Sequence, residues 1–440
     1  MLKNESSLRN RDLYLNRLIA FQDTEPVKII TGIRRCGKSS LMKLMARHLR
    51  ENGITKERII EINFESMNYS TMNTKSLYQF IKENLSPAGR NYIFLDEIQR
   101  VDKWEDAVNS CRVDFDCDIY LTGSNAHLLS SEYATYLAGR SLEIKMLPLS
   151  FREFIDFHGY ILKEGKNPSG GKRYKIVDAA GESYEPKELL EAYLKFGGMP
   201  GIADVGLDTD KALTLLDGVY STVVVRDILE REKRRGLRQI TDPDLLKKVI
   251  LFLADNIGNS TSITSIGNIL INEKLLDNSR KGKPAVRTIQ SYVSALLESF
   301  VFYEIKRFDI KGKEYLRTLG KYYIVDIGLR NYLLGFRDID KGHIIENIVY
   351  FELLRRGYDV AIGKVDDKEV DFIATNAYRK RYIQVTESIV EPAAKERELA
   401  PLRKIKDNHE KLVIANNIDN SITHDGINVV SLTDFLLLNE

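Results

Sequence analysis

Short apolar runs recur through the first third of the chain, and stretches with helical spacing separate them. Val27-Lys28-Ile29-Ile30-Thr31, Ile59-Ile60-Glu61-Ile62-Asn63-Phe64, Asn91-Tyr92-Ile93-Phe94-Leu95 and Cys117-Asp118-Ile119-Tyr120-Leu121-Thr122 read as strands, as does Leu142-Glu143-Ile144-Lys145-Met146. Ser40 to Met45, Ser76 to Leu85 and Trp104 to Cys111 repeat their apolar residues at the period of a helix. Strands alternating with helices predict an α/β fold, a doubly wound parallel sheet. Upstream, residues 1–26 predict a helix with Tyr14, Leu15, Leu18 and Ile19 on one face.

The pattern changes further on. Gly165 to Lys172 is polar and glycine-rich, with an Asn167-Pro168 turn signal, and Tyr174 to Val177 reads as one arm of a hairpin. Helical spacing begins at Pro186, breaks at Gly197-Gly198-Met199-Pro200-Gly201, and resumes over Lys211 to Glu230 as a helical lid. Three more helices are predicted over Asp244–Leu253, Thr264–Ile271 and Pro284–Leu297. Strands Phe302–Ile305 and Tyr322–Val325 follow, with Lys311-Gly312-Lys313 turning between them. Three helices and a hairpin make the plan of a winged helix. The last third predicts a helix over His343–Arg356 and strands at Tyr358–Ile362, Glu369–Ala374, Arg381–Val385, Lys411–Ala415 and Ile427–Val430. The expected divisions are 1–160 for the first sheet, 161–238 for the hairpin insertion and lid, 239–338 for the winged helix, and 339–440 for a C-terminal α/β domain.

Between the first strand and the first helix of the sheet stands Gly32-Ile33-Arg34-Arg35-Cys36-Gly37-Lys38-Ser39, a full G-x-x-x-x-G-K-S loop, with Ser40 opening the helix. Glycines let backbone N–H groups turn inward around a polyphosphate, and the helix dipole adds to that field. Lys38 reaches the β and γ oxygens, and the Ser39 hydroxyl holds Mg²⁺. ATP with Mg²⁺ is the expected cofactor. The Asn91–Leu95 strand runs into Asp96-Glu97 at its C-terminal end, where a parallel sheet presents ligands. Asp96 is expected in the Mg²⁺ shell and Glu97 at the attacking water. An apolar strand meeting an acidic turn by chance is the plainer reading, and the phosphate loop about 60 residues upstream outweighs it. The next strand ends in Gly123-Ser124-Asn125, where Ser124 and Asn125 suit the sensor 1 role or a helix N-cap. Arg140 stands where an arginine finger would reach a neighbouring subunit's γ-phosphate, which implies a homo-oligomer; a surface ion pair is the alternative. The first helix suits either a cover for the adenine or core packing.

Composition sets outer limits. The 440 residues are 43% hydrophobic and 29% charged with a net charge of +2, ordinary for a chain of two or three domains. Three cysteines, with no C-x-x-C pair and no signal peptide, suggest a reducing cytoplasm. Six scattered histidines offer no His-rich metal site, and no apolar run approaches the roughly 20 residues that span a bilayer. Locally, Arg231-Glu232-Lys233-Arg234-Arg235-Gly236-Leu237-Arg238 is the strongest basic cluster, equally suited to nucleic-acid phosphates and to a solvated linker. Candidate DNA contacts in the winged helix are Lys281, Lys283, Arg287 and Gln290 at the third helix, with Lys311 and Lys313 in the wing. The competing use of that fold is contact with partner proteins.

The segments G-I-R-R-C-G-K-S, L-D-E-I-Q-R-V-D-K-W, L-T-G-S-N, L-A-G-R and L-P-L-S-F-R-E-F occur in that order. Together they resemble the archaeal-type ATPase family of prokaryotic AAA+ proteins, and Lys195-Phe196-Gly197-Gly198-Met199-Pro200 and Val225-Arg226-Asp227-Ile228 extend the likeness. The resemblance implies an AAA+ sheet, a helical lid, a C-terminal domain, and Arg140 at the family's finger position. The order of elements after residue 339 resembles the PD-(D/E)XK nuclease fold, with Glu346, Asp371 and Gln384 at the acid and amide positions. Thr386 stands where that fold has its lysine, so the site is expected to be degenerate; Lys364 is the alternative source of a cation. These readings sum to an ATP-hydrolysing AAA+ switch acting on DNA. The alternatives are a protein-interaction ATPase switch and an ATP-dependent nuclease.

Overall fold

A computed structural model of the chain describes residues 8–124, 139–166, 172–222, 228–229, 240, 242–272, 286–337, 340–418 and 421–438. Asn125, Lys281, Lys283, the 231–238 cluster and Val225 to Asp227 lie outside the described residues. The chain divides into two compact units, residues 1–147 with 298–300, and residues 148–297 with 301–440.

In the first unit β1 (Val27–Thr31), β2 (Ile59–Asn63), β3 (Asn91–Asp96), β4 (Cys117–Gly123) and β5 (Ser141–Lys145) form a five-stranded sheet in the order β2-β3-β4-β1-β5. Every pairing is parallel. β1 and β3 are buried at every position, as strands covered on both faces must be. Helices α1 (Asp12–Ala20), α2 (Lys38–Glu51), α3 (Thr74–Glu83) and α4 (Trp104–Asp114) belong to the same unit. Leu77, Ile81, Trp104 and Val108 close one core against Ile60, Ile93 and Ile119. This is the sheet that the sequence pattern predicts, with helix ends shifted by a few residues.

The second unit opens with α5 (Phe151–Phe157), which Ser150 and Glu153 start with a capping box. A small antiparallel sheet follows: β6 (Ile161–Lys166), β7 (Lys172–Val177) and β8 (Ser183–Tyr184). Then come α6 (Pro186–Phe196), α7 (Ile202–Val205), α8 (Thr209–Val219), α9 (Pro243–Asp255), β9 (Ser260–Thr261), α10 (Ile263–Asn272) and α11 (Val286–Glu298). The hairpin β10 (Phe302–Asp309) and β11 (Glu314–Ile324) leads into α12 (Ile327–Leu334) and α13 (Lys341–Arg355). The chain ends with β12 (Asp359–Val365), β13 (Lys368–Thr375), β14 (Lys380–Thr386), α14 (Pro392–Arg403), β15 (Glu410–Ala415), β16 (Ile422–His424), β17 (Ile427–Ser431) and α15 (Leu432–Leu437).

One feature departs from the expected division at residue 338. The hairpin is not a detached wing. β10 pairs in parallel with β12 at Arg307 to Asp309, so the hairpin belongs to a nine-stranded sheet ordered β16-β17-β15-β14-β13-β12-β10-β11-β9. The physical reason is β10's free edge: an eight-residue strand with buried Phe302 and Ile305 finds its second partner in the C-terminal strands.

The Gly197-Gly198 turn after α6 has a tight purpose. Gly198 N donates to Asp326 Oδ2 at 2.6 Å, and Leu149 N donates to Gly198 O at 2.7 Å. A Cβ on Gly328 would stand 2.1 Å from Phe196 O, so only glycine lets the two segments meet.

Candidate functional site

The site grows from the register of the parallel sheet. Neighbouring strands align Thr31 with Gly123 and Asn63 with Asp96, so their C-terminal ends stop level along one edge. Above that edge residues 32–37 leave β1 and enter α2. A Cβ on Gly32 would lie 2.1 Å from Met146 O, and its φ of 142° is glycine's territory. Arg35 and Gly37 also take positive φ, which coils the loop around its own interior. Ile33 and Cys36 are buried and anchor it, Arg34 is half-buried and Arg35 exposed. Lys38 opens α2, and its ammonium donates to Gly32 O at 3.0 Å and Ile33 O at 3.1 Å, inside the curl. Ser39 and Ser40 complete the first turn.

The acids stand opposite. Asp96 is buried at the end of β3. Its Oδ1 accepts the Thr122 hydroxyl at 2.5 Å, its Oδ2 accepts the Asn63 amide at 2.9 Å, and the Ser39 hydroxyl hydrogen-bonds it as well. Burial raises its pKa, and Glu97 adds to the rise, against the pull of Thr122, Ser39 and Lys38. Glu97 holds a left-handed backbone at φ 57°, with its N–H on Thr122 Oγ1 at 2.9 Å. Its Oε2 accepts the Gln99 amide, and the Ser124 hydroxyl at 3.2 Å. The structure thus brings Lys38, Ser39, Asp96, Glu97 and Ser124 into one unit. Arg140 is exposed, and its carbonyl accepts from Val27 N at 2.9 Å where β5 starts. Arg34 lies 3.8 Å from Glu65, which Arg100 also approaches at 3.3 Å.

Sequence reasoning gave no role to several members of this site. Asn63 ends β2 and Thr122 is the penultimate residue of β4, the strands flanking β3, and that position was the available signal. Gln99 and Arg11 had none. Arg11 of the first helical segment is buried and donates to Cys36 O at 3.0 Å and Leu147 O at 2.9 Å, while Tyr14 accepts from Leu147 N at 3.1 Å. α1 therefore packs as core, bracing the loop.

The donor chemistry suits a triphosphate with Mg²⁺. The loop interior holds backbone and one ammonium, and a hard cation would meet a hydroxyl and a carboxylate already joined to each other.

In the C-terminal sheet Glu346 and Asp371 do come together. Gln384 lies beside them: its carbonyl accepts Asp371 N at 2.8 Å and its amide donates to Glu398 at 3.1 Å. A two-sided amide beside an acid is best satisfied that way. Thr386 donates to Ser388 O at 3.1 Å. Lys364 is half-buried on β12. The cation at these acids is Lys321 of β11, 2.8 Å from both Glu346 and Glu369. Among the described residues no group of three His, Cys, Asp or Glu side chains is arranged to hold a metal ion. Arg287 and Gln290 are exposed on α11, as is Lys313 in the turn, whereas Lys311 is paired with Asp366 at 2.5 Å. No described helix is long and apolar enough to cross a membrane.

A parallel sheet with this strand order, a glycine loop entering a helix, and a serine, aspartate and glutamate at its mouth define an AAA-type P-loop ATPase fold. Residues 24–155 match the family described as an AAA domain, and residues 187–340 match a domain of unknown function (DUF8612). The chain is 39% identical over 430 residues to an uncharacterized protein of Haemophilus influenzae, covering 97% of this chain and 98% of that one. It is 31% identical over 417 residues to MJ1544 of Methanocaldococcus jannaschii, covering 92% and 83%. The chain belongs to the family of these two proteins. Among solved structures, a Walker-type ATPase of Pyrococcus abyssi is similar with a TM-score of 0.46 and 16% identity, over 74% of this chain and 95% of that one.

Proposed function

We propose that the chain binds ATP and hydrolyses it as an AAA+ switch. The observation that carries this reading is the convergence of Ser39, Thr122 and Asn63 on one enclosed carboxylate, Asp96, at the mouth of the Gly32–Ser40 loop. Lys38 exchanges the Gly32 and Ile33 carbonyls for phosphate oxygens, and backbone N–H groups from Ile33 to Ser40 line the phosphates. Ser39 and Asp96 hold the cation. Mg²⁺, when bound, neutralises charge on the phosphates and polarises the terminal phosphoryl group. Glu97 orients the attacking water, and Ser124 and Gln99 steady its Oε2; Asn125, next in the sequence, shares the sensor role with Ser124. Arg140, exposed beside β5, serves a neighbouring subunit as a finger in a homo-oligomer.

Two variants test the reading. Lys38→Ala abolishes tight ATP binding in calorimetry, by more than about 100-fold. Glu97→Gln retains binding while phosphate release falls by about 10²–10⁴-fold. Unchanged hydrolysis in Glu97→Gln would sink the role given to Glu97.

The switch acts on DNA through the three helices and hairpin of residues 239–338. Exposed Arg287 and Gln290, one turn apart on α11, support that, together with Lys313 and the preceding Lys281 and Lys283. A second reading, in which this part binds proteins instead, draws on the wing's own ion pairs. Lys311 is paired with Asp366, and Arg307 lies 4.0 Å from Glu369, which leaves fewer cations for phosphates.

A further inference from the structure

The acids of the C-terminal sheet gather around one lysine, and their surroundings leave no place for a metal. Lys321 and Tyr323 alternate on β11 and so face the same side, toward α13. Lys321 Nζ donates to Glu346 Oε1 at 2.8 Å, and the Tyr323 hydroxyl donates to the same oxygen. The other oxygen, Oε2, is covered too. His343 Nδ1 lies 3.7 Å from it, and a Cβ on Gly258 would come within 3.2 Å. Asn347, next to Glu346, exchanges two hydrogen bonds with the Ile324 backbone at 3.0 and 2.9 Å, which fixes α13 against β11. From β13, Glu369 reaches the ammonium at 2.8 Å, and Asp371 of the same face adds a further charge interaction. Asp371 Oδ2 is taken by Val385 N at 2.8 Å. Lys321 is 4% exposed and Glu346 7% exposed, so neither has water to fall back on.

We propose that this cluster is a cation site whose cation is built into the chain: the Lys321 ammonium fills the place of a divalent metal between Glu346, Glu369 and Asp371. The sheet then takes up no metal and performs no metal-dependent phosphodiester chemistry. Burial alone would depress the lysine, but the surrounding carboxylates outweigh it and hold Lys321 charged. Burial and Glu346 push the pKa of Asp371 well up, which lowers the negative charge that the ammonium has to meet. The missing lysine of β14, where Thr386 stands, is thereby explained: the positive charge enters from β11, on the opposite side of the acids.

Full-length protein in the Asp96→Asn background, free of nucleotide, isolates this cluster from the ATP site. Manganese titration followed by electron paramagnetic resonance is expected to find no Mn²⁺ that depends on Asp371. Lys321→Gln is expected to gain one bound Mn²⁺ at least 10-fold tighter than any in the parent, and Asp371→Asn added to it removes that ion again. Asp371-dependent Mn²⁺ in protein that keeps Lys321 would overturn the proposal. So would a folded Lys321→Gln variant that gains none. If Lys321→Gln does not fold, the charge-neutral pair Lys321→Met/Glu346→Gln decides. Its cooperative melting within a few degrees of the parent supports the built-in cation, and its failure to fold refutes it.

Discussion

Asp96 is enclosed by Thr122, Asn63 and Ser39, and its burial disfavours the ionised carboxylate. Its folded pKa lies above the unfolded one, burial being the main cause. For an acid that shift means the ionised form opposes folding at neutral pH, and the opposition fades as pH falls through the raised folded value toward the unfolded one. Asp96→Asn is therefore expected to stabilise the nucleotide-free protein at pH 8 by on the order of 1 kcal/mol, seen as a Tm higher by a few degrees. The advantage should shrink steadily toward pH 4 in calorimetric scans. An advantage independent of pH would mean the carboxylate's charge is not its source. At this scale the site was legible where chemistry is local. Lys38, Ser39, Asp96 and Glu97 stand in motifs a few residues long. Asn63 and Thr122 were marked only by their place near strand ends, because it takes the register of three strands to make them neighbours of Asp96.

The elements repeat that division between local and distant information. β1 to β5 and the helices between them follow from local pattern: β1 and β3, buried at every position, are mostly apolar runs, while the edge strands β2 and β5 keep exposed polar positions. β10 and β11 were legible as a hairpin, but not their place in a nine-stranded sheet. The pairing of β10 with β12 joins residues about 55 positions apart, and no local pattern encodes that. Lys321 was missed for the same reason. Its acids come from α13 and β13, and a lysine in a strand reads as solvent-facing. The turn between β11 and α12 carries a testable consequence. Asp326 is buried and accepts backbone N–H groups from Gly198 and Leu329, and burial raises its pKa to about 6. Between the unfolded value of 3.8 and that level the folded state binds the extra proton, so stability rises as pH falls. Relative to Asp326→Asn, which does not titrate, the parent should gain on the order of 1 kcal/mol from pH 6.5 to pH 5 in urea melts. A constant difference across that range would show that Asp326 stays ionised in the fold.

At the level of the whole molecule, the two readings of residues 239–338 part company over salt. Phosphate contacts release counterions, so the logarithm of duplex affinity falls with the logarithm of salt by about 0.9 per contact. Arg287, Lys313, Lys281 and Lys283 supply the cations of the DNA reading, while Lys311 is held by Asp366. A slope of roughly −3 to −4 is then expected for the full-length protein with a nonhydrolysable ATP analogue, measured by fluorescence anisotropy. Arg287→Ala should flatten the slope by about 1, while Lys311→Ala should leave it nearly unchanged because its charge is already spent on Asp366. No binding at low salt, with the nucleotide bound, would transfer this surface to a protein partner. An equal loss from Lys311→Ala would mean that the Lys311–Asp366 pair opens to admit a phosphate. A slope that appears only with the analogue would tie the duplex surface of the second unit to the nucleotide site of the first, which is what a switch requires.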